Sequence, residues 1–356
     1  MKASVYFVAV NESDSLDRIQ EKFSGLIDKS GCLSGSGGLK HAVIKIHFGE
    51  EGNTGFIRPE IAGVMCRKIA ENGGQAILSD SNTLYRGRRM NCRDHLELAF
   101  EHGFTSDRTG GTTVIAEETA DKVVSIPVNF QYIRDAKIPK LYLDTDILIS
   151  MAHFKGHLAA GFGGTLKNIG MGCATREGKM AQHSDLEPKV NLSQCIGCGI
   201  CVGECQVSAI SLIRGKAVIN GARCTGCAGC IAACPVEAID VNWGSGATRM
   251  NEKMVEYAAA VLRNVPRSLH INFAVKITAE CDCIAGDDPR ITEDIGIFLS
   301  TDAVAADQAC YDAIVKQAGM DPFKVFHPHT NGNRQLIYAE RLGIGSRSYE
   351  LILVEP

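Results

Sequence analysis

Cys195-Ile-Gly-Cys198-Gly-Ile-Cys201-Val-Gly-Glu-Cys205 and Cys224-Thr-Gly-Cys227-Ala-Gly-Cys230-Ile-Ala-Ala-Cys234-Pro235 are two copies of one pattern, and each cysteine of the second lies 29 residues after its counterpart. The duplication runs past the cysteines, because Val207-Ser-Ala-Ile210 corresponds to Val236-Glu-Ala-Ile239. Between the cysteine runs, Ile210 to Asn220 reads as a hairpin turning at Arg214-Gly215-Lys216. Eight of the fifteen cysteines fall in this stretch. In a chain with no secretory signal pattern, such clustering points to metal binding or redox chemistry rather than to disulfides.

Three cysteines at two-residue intervals wrap a tight loop around one face of a cuboidal cluster, and Gly197, Gly199, Gly226 and Gly229 let backbone N–H groups approach the sulfides. In two-cluster ferredoxins the fourth cysteine of each copy ligates the other cluster. On that rule Cys195, Cys198, Cys201 and Cys234 hold one 4Fe–4S cluster, and Cys224, Cys227, Cys230 and Cys205 hold a second. Each fourth cysteine is expected to open the helix that follows it. Structural zinc also uses paired cysteines, but a zinc ribbon has no use for a third cysteine at the same spacing. Pro235 follows Cys234, whereas Gln206 follows Cys205, a difference that bears on chain geometry and not on ligation.

Outside 186–243, apolar strand-like runs alternate with helix-like segments. The expected strands are Val5–Val10, Ala42–His47, Ala76–Ser79, Ile147–Met151, Leu269–Val275 and Ile295–Leu299. The expected helices are Leu16–Asp28, Pro59–Glu71, Cys92–His102, Lys253–Leu262, Val304–Gln317 and Arg334–Arg341. Alternation of this kind predicts an α/β fold with a mostly parallel open sheet. A bacterial-ferredoxin-like α+β domain at 186–243 interrupts it, and 1–185 and 244–356 build the one sheet together.

The formal net charge of −4 gives no basic footprint for nucleic acid. The N-terminal apolar run is too short for a signal segment, and no stretch is long enough for a membrane span, so a cytoplasmic protein is expected.

Ligand sites in open α/β sheets lie beyond the carboxyl ends of strands. Four such ends are polar here. They carry Lys45 and His47 with Asn53, Asp80 with Asn82, His153, Lys155 and His157 leading to Gly163, Gly164 and Lys167, and Cys281 with Cys283. His47, His153, Lys155, His157 and Lys167 are the candidate catalytic groups, and Lys45, Asn53, Asp80, Asn82, Gly163, Gly164, Cys281 and Cys283 the candidate substrate contacts.

His153 and His157 stand four apart as candidate ligands of an additional metal ion, but Gly156 between them favours a loop. Gly161–Gly164 with Lys167 reads as an anion cradle, although neither a P-loop nor a dinucleotide fingerprint is present. Cys281 and Cys283 are candidates for a metal site or a redox pair, and strand alternation would point them to opposite sides. Cys32, Cys66, Cys92, Cys173 and Cys310 read as buried small residues, and His327 and His329 as surface residues.

Lys45-Ile-His-Phe-Gly-Glu50, Asp80-Ser-Asn-Thr83, His153-Phe-Lys-Gly-His157, Gly161-Phe-Gly-Gly164, Lys167-Asn-Ile-Gly-Met-Gly172, Cys281-Asp-Cys283 and the two cysteine copies together resemble the domain-of-unknown-function 362 group of iron–sulfur centre proteins. The resemblance covers nearly the whole chain and names no reaction. The expected function is electron transfer through two clusters to a redox site in the α/β domain, with a ferredoxin or reductase as partner and a small anionic substrate. The alternatives are an electron carrier or docking adaptor without catalysis, and a protein of metal-cofactor assembly whose clusters are structural.

Overall fold

The computed structural model describes residues 2–33, 39–85, 87–117, 122–183, 188–205, 207–224, 229–240 and 247–355. Cys227, Gln206, Gly226 and both ends of the 186–243 segment lie outside them. One eight-stranded sheet organises the chain. Its strands are β1 (Ala3–Ala9), β2 (His41–Ile46), β3 (Gln75–Asp80), β4 (Thr112–Ile115), β5 (Ile147–His153), β6 (Ser268–Ala274), β7 (Gly296–Ser300) and β8 (Tyr349–Leu353).

The order across the sheet is β8-β1-β7-β6-β5-β2-β3-β4. Only β7 runs against its neighbours, pairing antiparallel with both β1 and β6. The other pairings are parallel, as the alternating pattern predicts. Strands from before and after 186–243 sit in one sheet, since β6 pairs with β5 and β7 with β1.

Successive side chains of a strand face opposite sides, and both sides of this sheet are covered. Val43 and Leu148 belong to a core shared with the Ala247–Leu262 and Ala303–Ala318 helices. Ala42, Ile44 and Ile149 belong to a second core with the Leu16–Ser30 and Pro59–Glu71 helices. That double coverage is why β2 and β5 read as unbroken apolar runs.

Local chemistry sets the helix ends. The Ser15 hydroxyl accepts the Arg18 N–H at 3.2 Å, and left-handed Gly31 closes the same helix. Pro59 occupies a first-turn position, where its missing N–H costs nothing. No described helix is long and apolar enough to cross a membrane.

Two strands of this sheet, β4 and β8, were missed by the sequence pattern. Both are edge strands; Thr112, Thr113 and Glu350 break up their apolar character.

Between 188 and 240 the chain forms a small separate core containing Cys195, Cys201, Cys230 and Cys234 with Ile210, Ala217 and Ile239. The expected hairpin pairs Ile210–Ile213 with Lys216–Ile219. Arg214 and Gly215, at φ 51° and 73°, make its two-residue turn.

The 29-residue repeat is visible in the backbone, and it is crossed. Asn191 N–H donates to the Ala238 carbonyl at 2.7 Å, and Asn220 N–H donates to the Ala209 carbonyl at 2.8 Å. Each copy therefore pairs the residue ahead of its cysteines with the tail of the other copy.

One expectation is corrected: the short helices Ile200–Gly203 and Gly229–Ala233 precede Cys205 and Cys234 instead of following them. After each fourth cysteine the chain turns through left-handed Ser208 or Glu237. The Ala209 and Ala238 N–H groups then reach back to the Cys205 and Cys234 sulfurs, at 3.1 and 3.2 Å.

Candidate functional site at the carboxyl edge of the sheet

β6, β5, β2 and β3 are neighbours running in one direction. The loops leaving them enclose a cavity of about 270 Å³. Lys45, His47 and Asp80 line it from one side, and His153, Lys155 and His157 from the middle. Gly163, Gly164, Lys167, Cys281 and Cys283 complete the expected residues on its wall.

Asn53 and Asn82 lie apart from this lining. Asn53 latches two loops, donating to the Gly286 carbonyl at 2.8 Å while its own Oδ1 accepts the Gly55 N–H at 2.8 Å. Asn82 is buried against His95 and Cys92. His327, expected at the surface, is buried with Nε2 at 2.8 Å from the Ala279 carbonyl.

The cavity wall is built of ion pairs. Lys45 Nζ lies 2.9 Å from Asp80 Oδ1. Burial opposes ionisation of Asp80, yet Lys45, His47, His95 and Arg89 outweigh it and hold the carboxyl well below its usual range. Asp282 is the second anchor, accepting from Lys155 Nζ at 2.7 Å and lying 2.9 Å from His153 Nδ1. The other nitrogen of His153 faces the Val275 carbonyl at 2.9 Å. His153 is therefore committed to the protein on both sides and is separated in role from His157.

Burial, with Arg89 next, pushes His47 well below the usual imidazole range. Its Nδ1 accepts the Gly49 N–H at 2.9 Å. His157 is likewise lowered by burial and by Lys167, and its Nδ1 accepts the Ala159 and Ala160 N–H groups at 3.2 and 3.0 Å. Its ligand-type atom lies within 4.8 Å of the Cys281 and Cys283 sulfurs. Those two residues sit in a turn, not a strand, and both face the cavity, contrary to strand alternation.

The glycine-rich stretch already has an anion. The N–H groups of Thr165 and Leu166, at the start of the Thr165–Gly170 helix, donate to Asp307 at 2.7 and 2.9 Å. The carboxylate is the protein's own, so this helix start is not available to a ligand. Burial raises Asp307 to about 6.

Several wall residues escaped sequence reasoning. Arg89 is buried, bonds Glu50 at 3.0 Å and Tyr85, and approaches Asp80 at 3.7 Å. Lys179, on the Arg176–His183 helix, donates to Ser81 Oγ at 2.6 Å and to the Asn82 carbonyl, and burial lowers it to about 8. Asp282 was within reach of the sequence as the middle of Cys281-Asp-Cys283. Lys179 carried no local signal.

The cysteine region adds a second cleft, lined by Cys195, Cys198, Cys201 and Cys234. Gly197, at φ 67°, is obligatory there, because a Cβ would meet the Gly215 carbonyl oxygen at 2.1 Å. Ile231, beside Cys230, packs against Leu84 and Met180, and Leu84 belongs to the wall of the first cavity.

The family model described as a domain of unknown function, DUF362, matches residues 42–312. The chain belongs to that family. Among curated proteins none matches this DUF362 chain. A crystal structure of a Thermotoga maritima protein is similar to it with a TM-score of 0.45 at 12% identity, over 86% of this chain and 59% of that one. The lactate racemase apoprotein of Thermoanaerobacterium thermosaccharolyticum has a TM-score of 0.36 at 14% identity, over 76% of this chain and 50% of its own. The chain thus spans between half and three-fifths of the length of these two structures.

Proposed function

We propose that this DUF362 protein holds two 4Fe–4S clusters in 186–243 and uses them to feed a redox site in the α/β cavity, accepting electrons from a ferredoxin or reductase partner. The observation that carries the reading is the cleft at the cysteines. Cys195, Cys198 and Cys201 line it together with Cys234, which comes from the other copy of the repeat. Four thiols in one cleft match the donor set of a cubane cluster, and backbone N–H groups point at two of them, Ala217 at Cys195 (3.5 Å) and Ala238 at Cys234 (3.2 Å). The crossed backbone pairing supports the same exchange for Cys205 with Cys224, Cys227 and Cys230. Bound clusters supply one-electron transfer at low potential.

The protein's own groups in the cavity suit a small anionic substrate. Lys167 presents an ammonium beside Cys281. Lys179, lowered to about 8, exchanges its proton near neutrality and is placed to give or take one. The packing of Ile231 against Leu84 sets the second cysteine group beside the cavity wall.

The test is anaerobic purification with iron and sulfide analysis and electron paramagnetic resonance. About eight iron and about eight acid-labile sulfide per chain are expected, with signals appearing on reduction. Stoichiometric zinc without iron refutes the reading.

A further inference from the structure

We propose that Cys281 and Cys283 form a dithiol–disulfide couple on the cavity wall that exchanges with small disulfides. The inference is independent of the clusters. It starts from the turn that brings two sulfurs, one residue apart in sequence, onto the same cavity. Lys167 Nζ lies 3.6 Å from Cys281 Sγ, so a cation stands against one sulfur and not between carboxylates. A thiolate is the attacking species in disulfide exchange, and a neighbouring ammonium favours it.

The same atoms, with His157, are also within the spacing of a metal site. The hydrogen bonding of His157 decides against that use. Its Nδ1 accepts two backbone N–H groups, from Ala159 and Ala160. In the neutral ring the proton therefore sits on Nε2, and the nitrogen left for the sulfurs is a donor without a lone pair to give. A hydrogen-bond donor suits a thiolate, whereas a metal needs a bare nitrogen.

The electrostatics agree with the geometry. The Cys283 thiol, as hydrogen-bond partner, brings Cys281 well below the usual thiol range against the effect of burial, with Lys167 and Lys155 helping. Cys283 moves the opposite way. These opposite shifts favour the negative charge on Cys281 and the proton on Cys283.

The step balances without further reagents. The Cys281 thiolate attacks one sulfur of a small disulfide, a mixed disulfide forms, and the first thiolate leaves. Cys283 loses its proton and attacks Cys281 Sγ, the second thiolate leaves, and the protein disulfide remains. Two electrons pass to the substrate, which is released as two thiols after taking up the proton from Cys283 and one from solvent.

The test uses the anaerobic full-length protein, equilibrated in mixtures of reduced and oxidised dithiothreitol, alkylated with a maleimide and digested. Mass spectrometry of the peptide carrying both cysteines should show conversion from a doubly alkylated form to an unalkylated form two hydrogens lighter. Because both couples transfer two electrons, each tenfold change in the dithiothreitol ratio should change the peptide ratio tenfold. Cys281→Ser should leave Cys283 singly alkylated in every mixture. Double alkylation across the whole range overturns the proposal. So does a peptide protected without mass loss in protein that retains a stoichiometric divalent metal.

Discussion

Replacing Lys179 with Met isolates one group whose titration the cavity has moved. Lys179 ordinarily titrates at 10.5, and burial brings it to about 8 in the folded chain. The unfolded chain therefore binds more protons than the folded chain between those values, and stability rises with pH across that window. Below about 8 the buried ammonium imposes its full penalty, about 3 kcal/mol for a shift of this size. Between about pH 7 and about pH 9.5 roughly 2 kcal/mol of it is relieved.

Met keeps the aliphatic stem but has no proton to lose, so Lys179→Met should lack this rise. The bonds to Ser81 and to the Asn82 carbonyl are lost as well, at about 1 kcal/mol each, which makes the absolute difference at neutral pH small and uninformative. The informative quantity is the difference in slope. Urea unfolding of anaerobically purified protein, followed by circular dichroism in sealed anaerobic cells, measures it for both chains; titrating groups remote from Lys179 cancel in the comparison, and Glu117, which burial raises and Lys179 holds down, is the buried carboxyl that does not. Parallel curves for the two proteins would show that Lys179 titrates normally, and its role as a proton-exchanging group in the cavity would be withdrawn.

Two further outcomes are expected. Cys205→Ser should damage the cluster held by Cys224, Cys227 and Cys230 and leave that of Cys195, Cys198, Cys201 and Cys234 intact, read as loss of about half the iron with one paramagnetic signal retained; damage to its own copy instead refutes crossed ligation. Asp282→Asn removes the charge that balances Lys155 and holds His153, and should cost about 3–5 kcal/mol as a broken buried pair; a loss below about 1 kcal/mol by the same urea assay would show that water or other groups already compensate Lys155.

The sheet was legible because its information is local. Six strands are apolar runs of the right length, and a strand buried on both faces has no polar side to blur the signal. Their carboxyl ends were legible too, as polar residues that follow an apolar run must emerge at one edge when the strands are parallel. What joins those ends was not legible. Asp307 caps the Thr165–Gly170 helix from 142 residues further along the chain, and Lys155 meets Asp282 across 127. Read locally, Gly161–Gly164 with Lys167 is an open anion cradle, and only the fold shows that the chain supplies the anion itself. The position of the helices beside Cys205 and Cys234 was misread for a related reason: the cysteine spacing constrains the loop around a cluster, whereas the turn after the fourth cysteine is set by left-handed Ser208 and Glu237, residue types that give no warning of that conformation.

The same distinction decides which charges of the cavity are available to a ligand. Sequence offers Lys45, Lys155 and Lys167 as equivalent cations, and the fold adds Lys179 and Arg89 to the same wall. The fold divides them. Lys45 faces Asp80, Lys155 faces Asp282 and Arg89 faces Glu50, each pair buried, so these cations balance carboxylates that could not otherwise remain ionised there. Lys167 and Lys179 instead bond a sulfur and uncharged oxygens. An anionic substrate gains little by approaching the first group, since it would compete with a carboxylate held at 3.0 Å or less. It gains most beside the second, where the cations bond a sulfur and uncharged oxygens in place of a buried carboxylate. On the proposal of an anionic substrate, Lys167 and Lys179 are the cavity cations best placed to meet it, and the Asp80 and Asp282 pairs are the scaffold of the wall.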